Sequence, residues 1–531
     1  MLSRIIGFYF GTRLHQDFDP DIFRRGVRSH TLVLGNFFLV VWGFGDIENL
    51  VKGNRFVLSP SGDNSLLTRN LSVIFGINSI EVESDWLGSI PVFYNLSNYS
   101  VSTLSLLCSL DECSIDEEGL ACYLKYGYSA FESTVFTNVK FLRYCSRLIV
   151  NDEGIKTINI KDPVLQESFL NDECDEKDAI SVVSKIVNDL VELNSAKVVI
   201  PTSGGYDSRF LNYLLKNRSR IESFTYGISN VQALSFEAVY AGRLSEILGT
   251  SWSQVFLGNF WSLREDWFNL YGYSTHLHGM YQIDFYQQIC KNLGDKTDSI
   301  LLSGIVGDVW AGSVRNLTLG GVNDVYKLFY SHGMSIDSEY INVKNSALED
   351  GFWRENKELL QNHRYAEVML VRTKMLLLSY LMEVPTYMGF VSVSPFLDYN
   401  VVKSMISIPK HRRFSRKWQS DFFNFANLNL EDMGLKFKVD NSLNYCQVLQ
   451  NNFEELDVES FKGIVDLDRV KWINQKLKSI GLMDRFHHYI LISWPLFGKV
   501  LHKIGLRSRV TIAYNEYCVL HNIGRLRNNI K

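Results

Sequence analysis

The chain has no Cys-x-x-Cys pair, no low-complexity tract, no internal repeat and no apolar run long enough for a membrane helix. Its eight cysteines, at 108, 113, 122, 145, 174, 290, 446 and 518, are dispersed. That excludes a zinc ribbon or a thioredoxin-like site and points to reduced thiols in a cytoplasmic protein. The longest early apolar stretch, TLVLGNFFLVVWGF (31–44), contains two glycines. It falls short of the roughly 18–20 residues a membrane helix requires, so it is expected to be buried strand. The opening MLSRIIGFYFG has too brief an apolar run, and no small-residue cleavage pattern, for a secretory signal. Charge of one sign is lacking too, since the formal net charge is -4. Nucleic acid is therefore not expected as a bulk partner, and KHRRFSRK (410–417) remains only a local basic patch.

What is present is an ordinary globular composition, 46% hydrophobic and 21% charged over 531 residues, long enough for two domains. Residues 1–165 carry short aromatic and β-branched runs punctuated by Gly, Asn and Asp, which predict a sandwiched antiparallel domain with few helices, one being DEEGLACYLKYG (116–127). The acidic stretch LNDECDEKDA (170–179) marks a boundary. Beyond it, strands such as KVVIPT (197–202), IESFTYG (221–227) and DSILLSG (298–304) alternate with helical patterns over 180–440, which predicts a doubly wound parallel sheet. AEVMLVRTKMLLLSYLMEV (366–384) reads as one largely buried helix, and 441–531 as a helical extension.

SGGYDS (203–208) follows the first of these strands. In an open α/β sheet, ligands bind beyond the carboxyl ends of the strands. Gly204 and Gly205 would bend the backbone and bare its amides, Ser203 and Ser208 would add hydroxyls, and the helix opening at Tyr206 would add its positive end, which together make a phosphate cradle. Asp207 beside a phosphate calls for a divalent cation between them. A second strand end, ILLSGIVGDVWAGS (300–313), offers Ser303, Gly304 and Asp308, so Asp207 and Asp308 are the expected metal ligands. In YSTHLHGMYQ (273–282), His278 is read either as a partly buried loop histidine or as the base that deprotonates an attacking amine.

SGGYDS resembles the SGGxDS loop of the asparagine synthetase family, whose relatives include β-lactam synthetases and lasso-peptide cyclases. SFTYG (223–227), LLSGIVGDVWAG and PFLDYNVVKSMISIP (395–409) resemble its other segments in order and spacing, over roughly 180–440. DWLGSIPVFY (85–94) and YLKYGYSAFESTVFTNVKFL (123–142) are similar to class II glutamine amidotransferase domains. The resemblance implies an Ntn-hydrolase-like sandwich joined to an adenine nucleotide α-hydrolase-like sheet. It also implies ATP with adenine against Ile200, Tyr226 and Gly227, Mg²⁺, adenylation of a carboxylate and transfer to ammonia or an amine. Lys436, with Lys438 as the alternative, matches the lysine that stabilises the second step.

Three departures bear on this expectation. No cysteine precedes Cys108, and Ser3 lies near the position of the family's nucleophile, so glutamine hydrolysis is expected to be lost and a separate glutaminase is a possible partner. Ile305, Val306 and Val309 stand where the family has an acidic residue, a glycine and a glutamate, and Val393 and Ser394 leave no arginine before PFLD. Aspartate, a sugar uronate of surface polysaccharide or a peptide carboxylate closed into a macrolactam are thus all open as the acid. A non-catalytic nucleotide-binding scaffold is the alternative, and sulfur or nitrogen insertion into tRNA a remoter one. A homodimer is left open.

Overall fold

A computed structural model describes residues 3–15, 17–60, 68–109, 114–192, 197–294, 298–314, 317–331, 333–344, 346–493 and 508–529. Three sheets organise it. The first is antiparallel, in the order β2 (Arg28–Leu34), β3 (Phe37–Phe44), β1 (Arg4–Gly11), β8 (Val101–Ser102), β7 (Phe93–Asn95) and β9 (Val139–Phe141). The second, also antiparallel, runs β11 (Gly154–Asn159), β10 (Ser146–Asn151), β6 (Ser79–Ser84), β5 (Leu71–Gly76) and β4 (Arg55–Leu58). Phe8, Phe10, Leu39 and Val41 of the first sheet and Val73, Ile80, Val82 and Leu148 of the second share one buried core, which is the expected sandwich.

The third sheet is parallel throughout, in the order β14 (Ser251–Val255), β13 (Ile221–Tyr226), β12 (Val198–Pro201), β15 (Ile300–Leu302) and β16 (Val391–Val393). Counted along the chain this order is 3-2-1-4-5. The winding therefore reverses between β12 and β15, at the two strands that carry the glycine-rich loops. A switch point of this kind is where an open α/β sheet leaves a crevice.

Two expectations are corrected. The stretch 31–44 is a hairpin, not one buried strand: it turns at Gly35 (φ 64), and β2 keeps a largely exposed edge while β3 is buried. The helix expected over 366–384 is two, His363–Arg372 and Met375–Tyr387. The break falls at Thr373 and Lys374, where the Thr373 hydroxyl donates to Leu328 O at 2.8 Å, tying the chain to another segment.

The sandwich and the parallel sheet are riveted together. Arg4 donates to Gly389 O (2.7 Å) and pairs with Asp298. Trp86 Nε1 donates to Leu397 O (3.1 Å), and fully buried Arg372 holds both Asp162 Oδ2 (2.7 Å) and Trp86 O. The C-terminal helix Arg509–Asn529 packs into a separate core with Trp261, Tyr271 and Tyr380, and Asn522 Nδ2 donates to Gly272 O at 3.2 Å. No helix among the described residues is long and apolar enough to cross a membrane.

Candidate functional site

β12 ends at Pro201, and the chain just beyond it, at Thr202, is knitted to its neighbour. Thr202 N–H donates to Phe224 O (2.8 Å), the Thr225 hydroxyl donates to Thr202 O, and Asn212 Nδ2 donates to Thr202 Oγ1 (3.0 Å). The loop then closes on itself. Gly205 N–H donates to Ser203 Oγ, Ser203 N–H to Ser208 Oγ (3.0 Å), and Ser208 Oγ to Ser203 O. Both hydroxyls expected to face phosphate are thus also engaged in shaping the loop. Gly204 is required by close approach, since a Cβ there would lie 2.5 Å from the Phe236 ring and 3.0 Å from Tyr240 Cβ. Behind the loop, fully buried Arg209 donates to Gly204 O (2.9 Å), Leu428 O and the Glu431 carboxylate, clamping the loop to a segment more than 200 residues away.

Asp207 lies in the first turn of the helix Tyr206–Leu214. Its Oδ1 is buried without a hydrogen-bond partner, and a Cβ on Gly307 would come within 3.0 Å of that oxygen. The two glycine-rich loops therefore meet at this carboxyl. Burial, then the charge of Asp308, push Asp207 up to about 7, against the opposing pull of Arg416. Asp308, in the first turn of Gly307–Ala311, accepts from Ser313 Oγ at 2.9 Å. Val306, just before that turn, sits at φ 57 and ψ 3. A β-branched residue held in the left-handed region is a strained element at a strand end.

Between the ends of β12, β13 and β15 opens a cleft of about 390 Å³. Ser203, Gly205, Asp207, Ser208, Tyr226, Ser303 and Gly304 of the predicted set all line it. Ile200 is fully buried in the core beneath, and Gly227 is pressed against Gln232 O and Ser235 Oγ. Tyr206 faces away, against Phe423 (ring centroids 5.1 Å apart) and Arg416. Lys436 is exposed, in a segment held against the turn before the helix Phe236–Leu248 by Lys438 N–H to Leu234 O (2.7 Å). His278 is not among the residues lining the cleft. Its Nε2 is 3.1 Å from Asn444 Oδ1, and burial lowers it to about 4. His276 serves as glue, its N–H donating to Gly127 O at the end of the helix Glu117–Tyr126.

Three residues of the site escaped the sequence reading. Glu237, in the first turn of Phe236–Leu248, lines the cleft with Oε2 buried and without a hydrogen-bond partner. Lys374, at the helix break, is lowered to about 8 by burial, with Asp308 pulling the other way. A single lysine inside TKMLLLSY was its only signal. Arg416 lies in the basic patch and places its guanidinium 4.9 Å from the Tyr206 ring centroid, near enough to Asp207 to oppose its upward shift. Other members of that patch are internally committed: Arg413 to Glu367 and Trp310 O, and Arg412 to Glu176 and Asp421.

The donors present fit a divalent cation. Mg²⁺ is usually held by one or two carboxylates plus substrate phosphates, and a carboxyl raised by burial and a neighbouring negative charge, as Asp207 is, is relieved by such an ion. Among the described residues no group of three or more His, Cys, Asp or Glu side chains gathers as a preformed metal cage.

No protein-family model matches the chain, and no curated protein does. Among solved structures it is similar to the NH3-dependent NAD synthetase from Campylobacter jejuni, at 13% identity over 36% of this chain and 87% of that one, with a TM-score of 0.21. It is also similar to the glutamine phosphoribosylpyrophosphate amidotransferase from B. subtilis, at 11% identity over 37% of this chain and 59% of that one, with a TM-score of 0.13. At scores this low the likeness carries no functional weight, and what the site can do is read from its own residues.

Proposed function

We propose that this chain is an ATP-dependent, AMP-forming amide ligase of the asparagine synthetase type. The observation that carries the reading is Asp207, a buried carboxyl oxygen without a partner at the meeting point of two glycine-rich loops, with a second carboxylate beside it. Burying such a group costs stability unless it is neutralised or paired, so its retention at a sheet switch point speaks for a ligand that brings positive charge.

In this reading the amides of loop 203–208 and the start of the helix Tyr206–Leu214 hold the ATP phosphates, while the strand end at Tyr226, with Glu237, borders the nucleoside. Asp207 and Asp308 would hold Mg²⁺, which would supply positive charge against the pyrophosphate. A substrate carboxylate oxygen attacks the α-phosphorus and the bond to the β-phosphate breaks. The acyl-adenylate is then attacked by ammonia or an amine, releasing AMP and a proton. Lys374 and Arg416 offset the negative charge that develops, with Lys436 a second candidate that would have to approach on binding. The protein contributes chiefly position and preorganised charge.

The first domain serves in this proposal as a class II amidotransferase-like scaffold without glutaminase chemistry. Its thiols Cys108, Cys122 and Cys145 are buried, Cys108 Sγ donating to Phe93 O, and Ser3 Oγ accepts from Asp46 N–H at 2.9 Å. The nitrogen would then arrive as ammonia, from a separate glutaminase or as an amine substrate. The acid is aspartate, a sugar uronate or a peptide carboxylate. Pyrophosphate release with ATP, Mg²⁺ and each acid tests the proposal. Release with one class identifies the substrate, and ATP binding without release for any of them favours the non-catalytic scaffold.

A further inference from the structure

A second cavity, of about 210 Å³, lies between the sandwich and the helices that follow β15. Its sandwich wall is the turn 130–133, closed by Ser133 N–H to Ala130 O at 3.0 Å. Both central residues, Phe131 (φ 55) and Glu132 (φ 56), are left-handed. Turns of that hand are normally built from Gly, Asn or Asp, so two adjacent large residues there are held against their own preference. Strain of this kind persists where the surroundings impose it, and it concentrates at ligand clamps.

What the strained turn presents is an aromatic and acidic wall. Phe131 lies 4.3 Å from Phe329 and 5.7 Å from Phe352, centroid to centroid. Glu355, one helical turn beyond Phe352 in Ser346–Asn356, adds a second carboxylate to the lining. Arg143 sits near Glu132 but donates its Nη2 to Tyr144 Oη at 2.8 Å, and Arg372 is committed to Asp162. The charge at the cavity is therefore two exposed carboxylates, Glu132 and Glu355, against the Arg143 guanidinium near Glu132, among phenyl rings, a kind of group whose faces attract cations.

We propose that this cavity binds a monovalent organic cation with an apolar body, a primary or quaternary ammonium attached to an aromatic or aliphatic group. The proposal is independent of the nucleotide cleft. Calorimetry and thermal melting of the full chain with phenethylammonium, 2-phenylethanol and phenylacetate test it. Only the ammonium should bind, at millimolar affinity or better. Glu132→Gln should weaken it by about threefold or more at unchanged circular dichroism, the loss of an exposed charge contact. Glu132→Gly should raise Tm by releasing the left-handed strain and still lose the ligand, which separates binding from folding. Equal binding of the three probes, no binding of phenethylammonium, or wild-type affinity in Glu132→Gln would overturn the assignment.

Discussion

Asp207→Asn should stabilise the ligand-free protein while destroying its activity. The carboxyl is pushed from 3.8 to about 7 by burial and by Asp308. A carboxyl whose folded pKa lies above its unfolded value binds more protons when folded, so its ionisation costs stability. That cost is absent below the unfolded pKa, grows between the two values and is complete above about 7. A rise from 3.8 to about 7 is worth about 4 kcal/mol at about pH 8, and about 2 kcal/mol at about pH 5.5. The asparagine variant removes this pH-dependent part, so its unfolding free energy relative to wild type should rise by about 2 kcal/mol more at the higher pH, seen as a larger shift of the urea midpoint. The assay is urea unfolding of both proteins at the two pH values, without Mg²⁺ or nucleotide, alongside pyrophosphate release. Midpoints that differ by the same amount at both pH values would refute the reasoning, because Asp207 would then be ionised without cost and would not be awaiting a cation.

Lys374→Met should lower pyrophosphate release by about a hundredfold or more, on the scale of removing a preorganised charge donor, while Lys436→Met measured beside it decides between the two lysines. Gly204→Ala places a Cβ 2.5 Å from the Phe236 ring. It should cost about 1–3 kcal/mol by overpacking, read from thermal unfolding, and weaken ATP binding by moving the loop. Asp162→Ala leaves Arg372 buried without its carboxylate, at an expected cost of about 3–5 kcal/mol seen as a lower unfolding midpoint. Because Arg372 pulls Asp162 below the ordinary carboxylate range, wild type should lose this contribution as pH falls through the folded pKa.

The parallel-sheet half was legible because its signals are local. KVVIPT followed by SGGYDS is a strand, a loop and a helix N-terminus written consecutively, and so is ILLSGIVGD. The apolar run at 31–44 was misjudged because a buried strand and a hairpin with one exposed edge share the same composition, and only pairing with β1 tells which strand is covered. The single helix expected over 366–384 failed on a tertiary contact, the Thr373 hydroxyl reaching Leu328 O, which periodicity does not register. Lys374, Arg416 and Glu237 were missed for a related reason. Each is unremarkable among its chain neighbours and becomes part of the site only through elements distant in sequence.

By itself the sequence determined that a glycine-rich turn with an aspartate follows a buried strand twice, about a hundred residues apart, because local backbone chemistry and apolar period encode strand ends directly. The tertiary structure alone decided that these two turns face each other. That depends on strand order, which is set by which helices cover which sheet face, and here it puts β12 beside β15 at the point where the winding reverses. It also decided the state of Asp207. A carboxyl is made costly by the atoms that surround it and by the charge opposite, and those come from Gly304, Gly307 and Asp308, none of them its neighbours along the chain.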